Sequence, residues 1–379
     1  MNRNFAMGCI ACLLLGLNAC AVNQAPESTD MAASNQASFG STNFFLQFSD
    51  QLDTDSTSAF RSRFDVESVK RHIEKKQLSH TQDGFIRSPW PPIISSVFES
   101  WFLQLQLLEG DWHFIGTQSH GKMINSYFVL ELEEGFNYID IIWSVEEQKI
   151  VDIRPMMYEF SVLENLLGID SLVENDETAR KNQWRLLSAF RAINDDHADK
   201  VVRHLQLLPK KLATHPLLVE RLLKQYEVSN SPTWLGILNK QLDPKQVEHS
   251  KFAAWHLANN RPLQAITSLK NSHAAILNHY GIQLELAVIY LEDEKLDQAN
   301  DWSNQAILSD PYEDTPYLIK MVVALKQFDH EGTALTLAVL RDRFNTVFTA
   351  EDMKTLEKGE DFATSEYAQI YFKSIESLL

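Results

Sequence analysis

The chain of 379 residues contains only three cysteines, and all of them lie within the first twenty positions, at Cys9, Cys12 and Cys20. If the segment before Cys20 is removed, one cysteine remains, and no disulfide can form within the rest of the chain. Zinc sites built from paired cysteines are excluded for the same reason. A hydrophobic content of 44% is enough for one or two packed cores, so the fold must derive its stability from apolar burial.

Basic residues are also scarce. The sequence has 34 Lys and Arg against 51 Asp and Glu, which gives a formal net charge of −17. Nucleic-acid binding needs a basic footprint that replaces the counterions around phosphates, and the composition shows none. Anionic lipid headgroups are expected to repel the chain as a whole. We therefore exclude nucleic acid as a partner and attribute the acidity to solubility.

Sequence motifs for catalysis and cofactor binding are absent as well. The chain has no phosphate-binding glycine loop, no serine nucleophile elbow and no H-E-x-x-H zinc helix. His197 and His204 are seven residues apart, with His215 nearby, but no carboxylate or cysteine stands at ligand spacing. We interpret them as surface histidines, and we predict no cofactor, no metal and no enzymatic activity.

The N-terminus contains one apolar run, at positions 5–17. A membrane-spanning helix needs about 20 apolar residues, so this run predicts a signal segment rather than a span. The residues L-N-A-C that follow at 17–20 resemble the lipobox of bacterial lipoproteins, although Asn18 replaces a small residue. The resemblance implies cleavage after Ala19, removal of residues 1–19 and lipid attachment at Cys20. An uncleaved anchor and an ordinary signal peptide are the alternatives.

The lipoprotein resemblance also implies a location. In Gram-negative lipoproteins, an Ala21 rather than an Asp after the cysteine directs the protein to the outer membrane. The chain is therefore expected there, attached by its lipid and facing the periplasm. Each buried CH₂ contributes about 0.8 kcal/mol, and two or more acyl chains make the attachment stable. Residues 20–43 are small and polar without an apolar period, which predicts a flexible tether.

Residues 44–170 predict an α+β domain. FFLQFSDQL and AFRSRFDVESVKRHI have the pattern of short amphipathic helices, and a third helix is expected to end near Gly110 as its C-terminal cap. Four period-two runs follow, WHFIGTQS, INSYFVLELE, FNYIDIIWSV and KIVDIRPMM, with separators short enough for antiparallel hairpins. The segment NYIDIIWSVEEQKIVDI resembles the last two strands of the cone-shaped nuclear-transport-factor-two-like fold, which implies a curled sheet.

Some members of that fold are enzymes, which makes acids on the strands candidate catalytic groups. Asp140 and Asp152 lie on the last two predicted strands and His113 on the first, but we interpret all three as outward-facing or strand-edge residues. A buried Asp beside a sizeable pocket favours chemistry, whereas a filled interior favours none. The aromatic residues that either line a pocket or form the core are Trp101, Tyr127, Tyr138 and Trp143.

After residue 176 strand patterns disappear and helical runs alternate with short breaks. Small residues that open the second helix of a pair recur at Ala265, Ala299 and Ala334, at intervals of 34 and 35 residues. This period and the segment 280–311 resemble the tetratricopeptide repeat. The matching signature positions in that segment are Leu286, Ala287, Tyr290, Ala299, Ala306 and Pro311. The usual turn glycines are replaced by Asn260, Glu294 and Asp329. The resemblance implies an all-α solenoid over 171–345, closed by capping helices over 346–379.

The first helices of such repeats line a concave groove. Carried over to this sequence, the groove positions are Val247, Ser250, Ala254, Leu257, Gly281, Leu284, Val288, Leu291, Ile319 and Val323. Because this set is largely apolar, it predicts an interaction surface for an apolar helix. The helix comes either from a partner or from the C-terminal segment of the chain itself.

Two functions from different classes follow. In the first, the protein is a membrane-anchored, non-catalytic interaction adaptor or assembly factor whose partners are other envelope proteins. In the alternative, the cone domain binds or transforms a small molecule and the solenoid recruits it to an envelope assembly. We predict the first, because no residue of the sequence stands out as a catalytic group.

Overall fold

The structure is a computed structural model that describes residues 37–77, 90–107, 110–132, 135–155, 161–163, 177–214, 216–242, 252–272 and 274–376. A four-stranded antiparallel sheet with its helices occupies the first part of the described chain, and helices alone form the rest. The chain divides into two compact units, one of residues 37–294 and the other built around residues 295–379.

In the described part of the chain, the helices before the sheet are α1 (Thr42–Arg63), α2 (Val66–Gln77) and α3 (Trp90–Gln106). The backbone of α1 is non-helical at Asp55, whose carboxylate accepts the Ser58 N–H at 3.0 Å and so caps the second half of the helix. The expected cap role of Gly110 is wrong, because this residue opens the first strand. A Cβ at Gly110 would lie 2.1 Å from the backbone oxygen of Glu131, so glycine permits the close approach of two strands.

The sheet confirms the four predicted strands. They are β1 (Gly110–His120), β2 (Met123–Leu132), β3 (Gly135–Ser144) and β4 (Lys149–Pro155), in the order β1-β2-β3-β4 with every described neighbour antiparallel. The register shifts between Phe114 and Gly116 on β1, and again between Ile142 and Trp143 on β3. Such irregularities bend a strand and increase its twist.

The first face of the sheet packs on α1, α2 and α3 and forms an aromatic core. Trp143 is fully buried, with its ring 5.7 Å from that of Phe44 and 5.1 Å from that of Phe48, both edge to face. Its indole N–H donates to Ser126 Oγ at 2.7 Å, which satisfies the polar atom inside the core. Of the aromatics predicted to be core or pocket, Trp143 is therefore core.

The helical part of the first unit follows. Its described helices are α4 (Glu177–Asn194), α5 (Ala198–Gln206), α6 (Lys210–Ala213), α7 (Pro216–Ser229), α8 (Pro232–Gln241), α9 (Ala253–Ala258), α10 (Pro262–Lys270), α11 (Ala274–Leu277) and α12 (Tyr280–Glu292). Helix α4 packs on α5 and α7, α7 on α8, α9 on α10, and α10 on α12. The indole N–H of Trp234 donates to Asp196 Oδ1 at 2.8 Å and that of Trp255 to Asn239 Oδ1 at 2.7 Å, so buried tryptophans link successive helices.

The second unit contains, in its described residues, α13 (Leu296–Ser309), α14 (Thr315–Lys326), α15 (His330–Phe344), α16 (Ala350–Thr355), α17 (Gly359–Ala363) and α18 (Glu366–Glu376). Its core includes Met321, Leu340, Met353, Phe362 and Tyr371, so the C-terminal helices pack against α14 and α15. Throughout the described parts of both units, every helix is too short or too polar to cross a membrane.

Candidate functional site

Asp140, the first candidate acid, lies on β3 on the second face of the sheet. The interpretation of this residue as outward-facing is wrong, because it is only 1% exposed. Its Oδ2 accepts a hydrogen bond from Asn125 Nδ2 at 2.8 Å and lies 3.8 Å from Arg154 Nη1. Burial and then the Asp140 charge raise the pKa of neighbouring Tyr127 to about 12. Asp140 therefore belongs to a closed polar cluster with its own counterion.

Asp152, the second candidate acid, is fully buried on β4. Its Oδ1 accepts the backbone N–H of Ile153 at 2.9 Å and that of Leu163 at 3.0 Å. The carboxylate thus joins the end of β4 to the short segment 161–163. Two backbone donors on one carboxylate oxygen indicate a structural role, as the strand-edge interpretation expected.

A cleft of about 240 Å³ lies between α2 and the ends of the strands. Its lining residues are Ser68, Arg71, His72, Lys122, Met123, Ser144, Glu146, Glu147 and Val151. The Arg71 Nε lies 2.6 Å from Glu147 Oε1, and this hydrogen bond raises the pKa of Arg71. The Lys122 Nζ lies 3.6 Å from Glu146. The lining charges are therefore paired, and neither Asp140 nor Asp152 reaches this cleft.

The first turn of α12 lies against the second face of the sheet and forms a polar group that we call the junction cluster: His113, Glu131, Tyr138, His279 and Tyr280. The Tyr280 hydroxyl donates to one oxygen of Glu131, and His113 Nε2 lies 3.3 Å from the other. The hydrogen bond with Glu131 raises the pKa of His113. The same hydrogen bond lowers the pKa of Glu131, and the hydrogen bond from the Tyr280 hydroxyl lowers it further.

The His279 side chain holds the beginning of α12. Its Nδ1 accepts the Gly281 N–H at 3.2 Å and lies 3.0 Å from the Tyr138 hydroxyl oxygen. A nitrogen that accepts a backbone N–H carries no proton, so we assign the Tyr138 hydroxyl as the donor to it. A Cβ at Gly281 would lie 2.6 Å from a ring carbon of Phe136 and 2.8 Å from the Tyr138 hydroxyl. Gly281 is therefore the residue that lets helix and sheet meet this closely.

One turn along α12, partly buried Glu285 has its pKa raised to about 7 by loss of solvation. Its charge, added to the larger effect of burial, raises the pKa of Tyr138. A carboxyl that titrates near neutrality has the acid–base capacity of a general base. The junction cluster next to this turn is packed, because the Phe136 ring lies 5.1 Å from that of Tyr280 and 5.4 Å from that of His279. The junction is packed like a core rather than open to a substrate.

The groove positions predicted from the repeats differ in exposure. Ala254 is exposed, and Leu257, Leu284 and Val288 are partly exposed. The buried ones are Gly281, Leu291, Ile319 and Val323. Val247 and Ser250 lie outside the described residues. The position at Gly281 is already occupied, because Phe136 and Tyr138 of the sheet contact it.

The predicted anchor residues Ala19 and Cys20 also lie outside the described residues, as does His215. His197 is exposed and stands just before α5, and the His204 ring lies 6.1 Å from that of Trp184. Among the residues that the structure describes, no group of three or more His, Cys, Asp or Glu could hold a metal ion.

The turns between successive helices share a feature that the sequence only partly revealed. One residue in each is left-handed, at Asp196, Asn230, Asn260, Glu294 and Phe328, with φ between 46° and 61°. Asn260 and Glu294 were predicted as glycine replacements. The third replacement is Phe328 rather than Asp329, whose Oδ1 instead accepts the Gly332 N–H at 2.9 Å and caps α15. Residue type marks the three turns with Asp or Asn, which adopt this conformation more often than other residues, whereas spacing alone finds those at Glu294 and Phe328.

The geometry thus defines an antiparallel sheet with helices on its first face and the beginning of α12 against part of its second, followed by helices alone. Comparison with protein-family models, with curated proteins and with solved structures finds no match to the chain. The function must therefore be argued from the contacts of its own residues.

Proposed function

We propose that the protein is a lipid-anchored, non-catalytic adaptor or assembly factor of the bacterial cell envelope. Lipid attachment at Cys20, after cleavage behind Ala19, holds it at the outer membrane on the periplasmic side. The cone-like domain of residues 44–170 and a tetratricopeptide-like solenoid of residues 171–345 present surfaces to other envelope proteins. Residues 346–379 cap the solenoid.

The observation that carries this proposal is the spacing of the left-handed turn residues. Along the five turns they follow one another at intervals of 34, 30, 34 and 34 residues. A helix–turn–helix unit of 34 residues has the length of the tetratricopeptide repeat. Proteins built from stacked helix pairs present extended concave surfaces and use them for binding. The regular turns therefore support an interaction protein.

Two further observations favour the absence of catalysis. Asp140 has Arg154 as a counterion, and Asp152 is engaged by backbone N–H groups. The second face of the sheet, where a cone would hold its ligand, is filled at the junction cluster by the first turn of α12. An open, solvent-linked interior around a raised-pKa carboxylate would instead favour the alternative, a cone that binds or transforms a small molecule.

The proposal is tested by crosslinking in intact cells, followed by affinity purification and by measurement of fatty-acid incorporation. The native chain is compared with Cys20→Ser, which removes the lipid site. It is also compared with Val288→Arg in the predicted groove, and with Val228→Arg as the matched control at a position that is 78% exposed on α7.

We expect the native chain to carry lipid and to recover an envelope protein in stoichiometric amount. Cys20→Ser should lose both, Val288→Arg should lose only the partner, and Val228→Arg should keep both. Lipid labelling that survives Cys20→Ser would contradict the anchor. A partner recovered equally with Val288→Arg would contradict the groove, and no partner with any variant would contradict the adaptor and direct attention to the cleft beside Arg71.

A further inference from the structure

Helix α4 exposes a second apolar face besides the one it buries. Its buried side consists of Leu186, Ala189, Phe190 and Ile193. On the opposite side Trp184 is 65% exposed and Leu187 is 47% exposed. Arg191 follows four residues later and is exposed too. Spacings of three and four place these residues on one side of a helix, so together they form a continuous exposed stripe.

The neighbouring helix extends this stripe. The Trp184 ring lies 6.1 Å from the ring of His204 on α5. Arg185 Nη1 donates to the carbonyl oxygen of Leu207 at 2.8 Å, which fixes the end of α5 beside the middle of α4. Leu207 is itself 54% exposed. We define the α4–α5 face as Lys181, Trp184, Leu187, Arg191 and Leu207.

The segment that carries this face has a net positive charge, whereas the net charge of the whole chain is negative. Residues 177–214 contain eight Lys and Arg but four Asp and Glu, in a chain whose net charge is −17. Two of the acids, Asp195 and Asp196, stand at the α4–α5 turn, about 16 Å along the helix from Trp184. Within residues 177–214, the exposed cations that form no ion pair with any described residue are Lys181, Arg191, Lys200 and Lys210.

We propose that the α4–α5 face docks on an anionic lipid surface. Exposed Trp and Leu on one side of a helix, flanked by Lys and Arg, are the composition of helices that lie in a membrane interface. Juxtamembrane basic residues are attracted by anionic headgroups. The overall negative charge does not cancel this attraction, because charges more than about 8–10 Å away are screened at physiological salt.

The shape of the face favours a lipid surface over an acidic polypeptide. Side chains that anchor one protein to another typically sit in well-packed pockets. Such an anchor from an acidic polypeptide would need a pocket on this face, but the cleft described above is lined by residues of α2 and the strands and by none of the α4–α5 face. The inference goes beyond the adaptor function and does not rest on a lipid at Cys20.

The test measures how closely Trp184 approaches lipid. The full chain is mixed with vesicles that contain brominated acyl chains, which quench tryptophan fluorescence on contact. Subtraction of the signal of Trp184→Phe isolates the quenching of this one residue. Any membrane attachment through residues 1–36 is common to both proteins and cancels. We expect Trp184 to be quenched on vesicles of mixed anionic and zwitterionic lipid and to be spared on purely zwitterionic vesicles.

Charge variants separate the face from the net charge. Lys181→Glu combined with Arg191→Glu should weaken the Trp184-specific binding at least tenfold, since each cation near an anionic surface contributes about fivefold. Lys122→Glu combined with Lys240→Glu changes the net charge equally at exposed positions elsewhere and should leave it unchanged. A salt concentration of about 1 M, where the Debye length is about 3 Å, should abolish the quenching.

Three outcomes would overturn the proposal. Equal quenching on zwitterionic vesicles would remove the electrostatic basis. Equal loss with the control pair would attribute binding to net charge. Absence of Trp184 quenching on anionic vesicles would leave an acidic polypeptide as the occupant of the face and exclude the lipid surface.

Discussion

Replacement of Gly281 by alanine tests whether α12 and the sheet are packed as closely as the junction indicates. The added methyl carbon would lie 2.6 Å from one Phe136 ring carbon and 2.7 Å from another, well inside van der Waals contact. Forcing extra volume into a packed contact costs about 1–3 kcal/mol. The change from glycine to alanine in a helix returns up to about 1 kcal/mol, and less at the second residue of α12. We expect the free energy of unfolding to fall by about 1–2 kcal/mol.

Gly236→Ala is the matched control, because Gly236 lies within α8 and a Cβ there would meet nothing within 4 Å. This variant should be more stable than the native chain by about 0.5–1 kcal/mol. Urea unfolding followed by tryptophan fluorescence suits both variants, since seven of the eight tryptophans fall within residues 37–294. With a urea dependence of about 3 kcal/mol per M, the Gly281→Ala midpoint should fall by about 0.5 M. A rise of both midpoints would refute the close packing.

Two further predictions concern the junction cluster and the C-terminal core. The raised pKa of His113 adds stability that is present below its unfolded value of 6.5 and is lost as the pH rises through the folded value. The lowered pKa of Glu131 adds stability that is present above 4.5 and is lost as the pH falls through the folded value. Urea unfolding should therefore show the largest loss for His113→Gln between about pH 4.5 and 6.5, and a loss independent of pH would contradict the ion pair. Phe362→Ala should destabilise the unit of residues 295–379 by about 3–5 kcal/mol, because Phe362 is fully buried. Ile370→Ala, at a position that is 69% exposed, should have an effect within about 0.5 kcal/mol. Calorimetry of the two variants checks this difference, and similar melting temperatures would contradict the packing of the C-terminal helices.

The four strands could be predicted because their pattern is local. Alternation along β3 places Ile139, Ile141 and Trp143 on the core face, and the sequence shows this period directly. The same alternation places Asp140 on the second face, where we expected it to point outward or to lie at a strand edge. That face is buried at Tyr138 and Asp140, and part of what covers it is the beginning of α12. No local period can reveal a contact made by residues far along the chain.

Helix α4 illustrates a different limit of sequence patterns. Apolar residues such as Trp184, Leu186 and Leu187 occur on several sides of this helix, so periodicity does not select the side that is buried. Contacts with α5 and α7 bury the side of Leu186 and leave Trp184 exposed. The left-handed turn at Phe328 is a further case, because the packing of the helix pair imposes a conformation that phenylalanine does not favour on its own.

The hydrogen bond between Tyr280 and Glu131 joins residues that are 149 positions apart. During synthesis all four strands are made long before α12. Until α12 is made, Phe136 and Tyr138 on the second face of the sheet lack their contacts with it. Contacts of such long range are slow to form, and surfaces that await them are prone to aggregate. The order of emergence of the chain therefore creates an interval in which a chaperone is useful, and a chain truncated before α12 would leave this part of the second face uncovered.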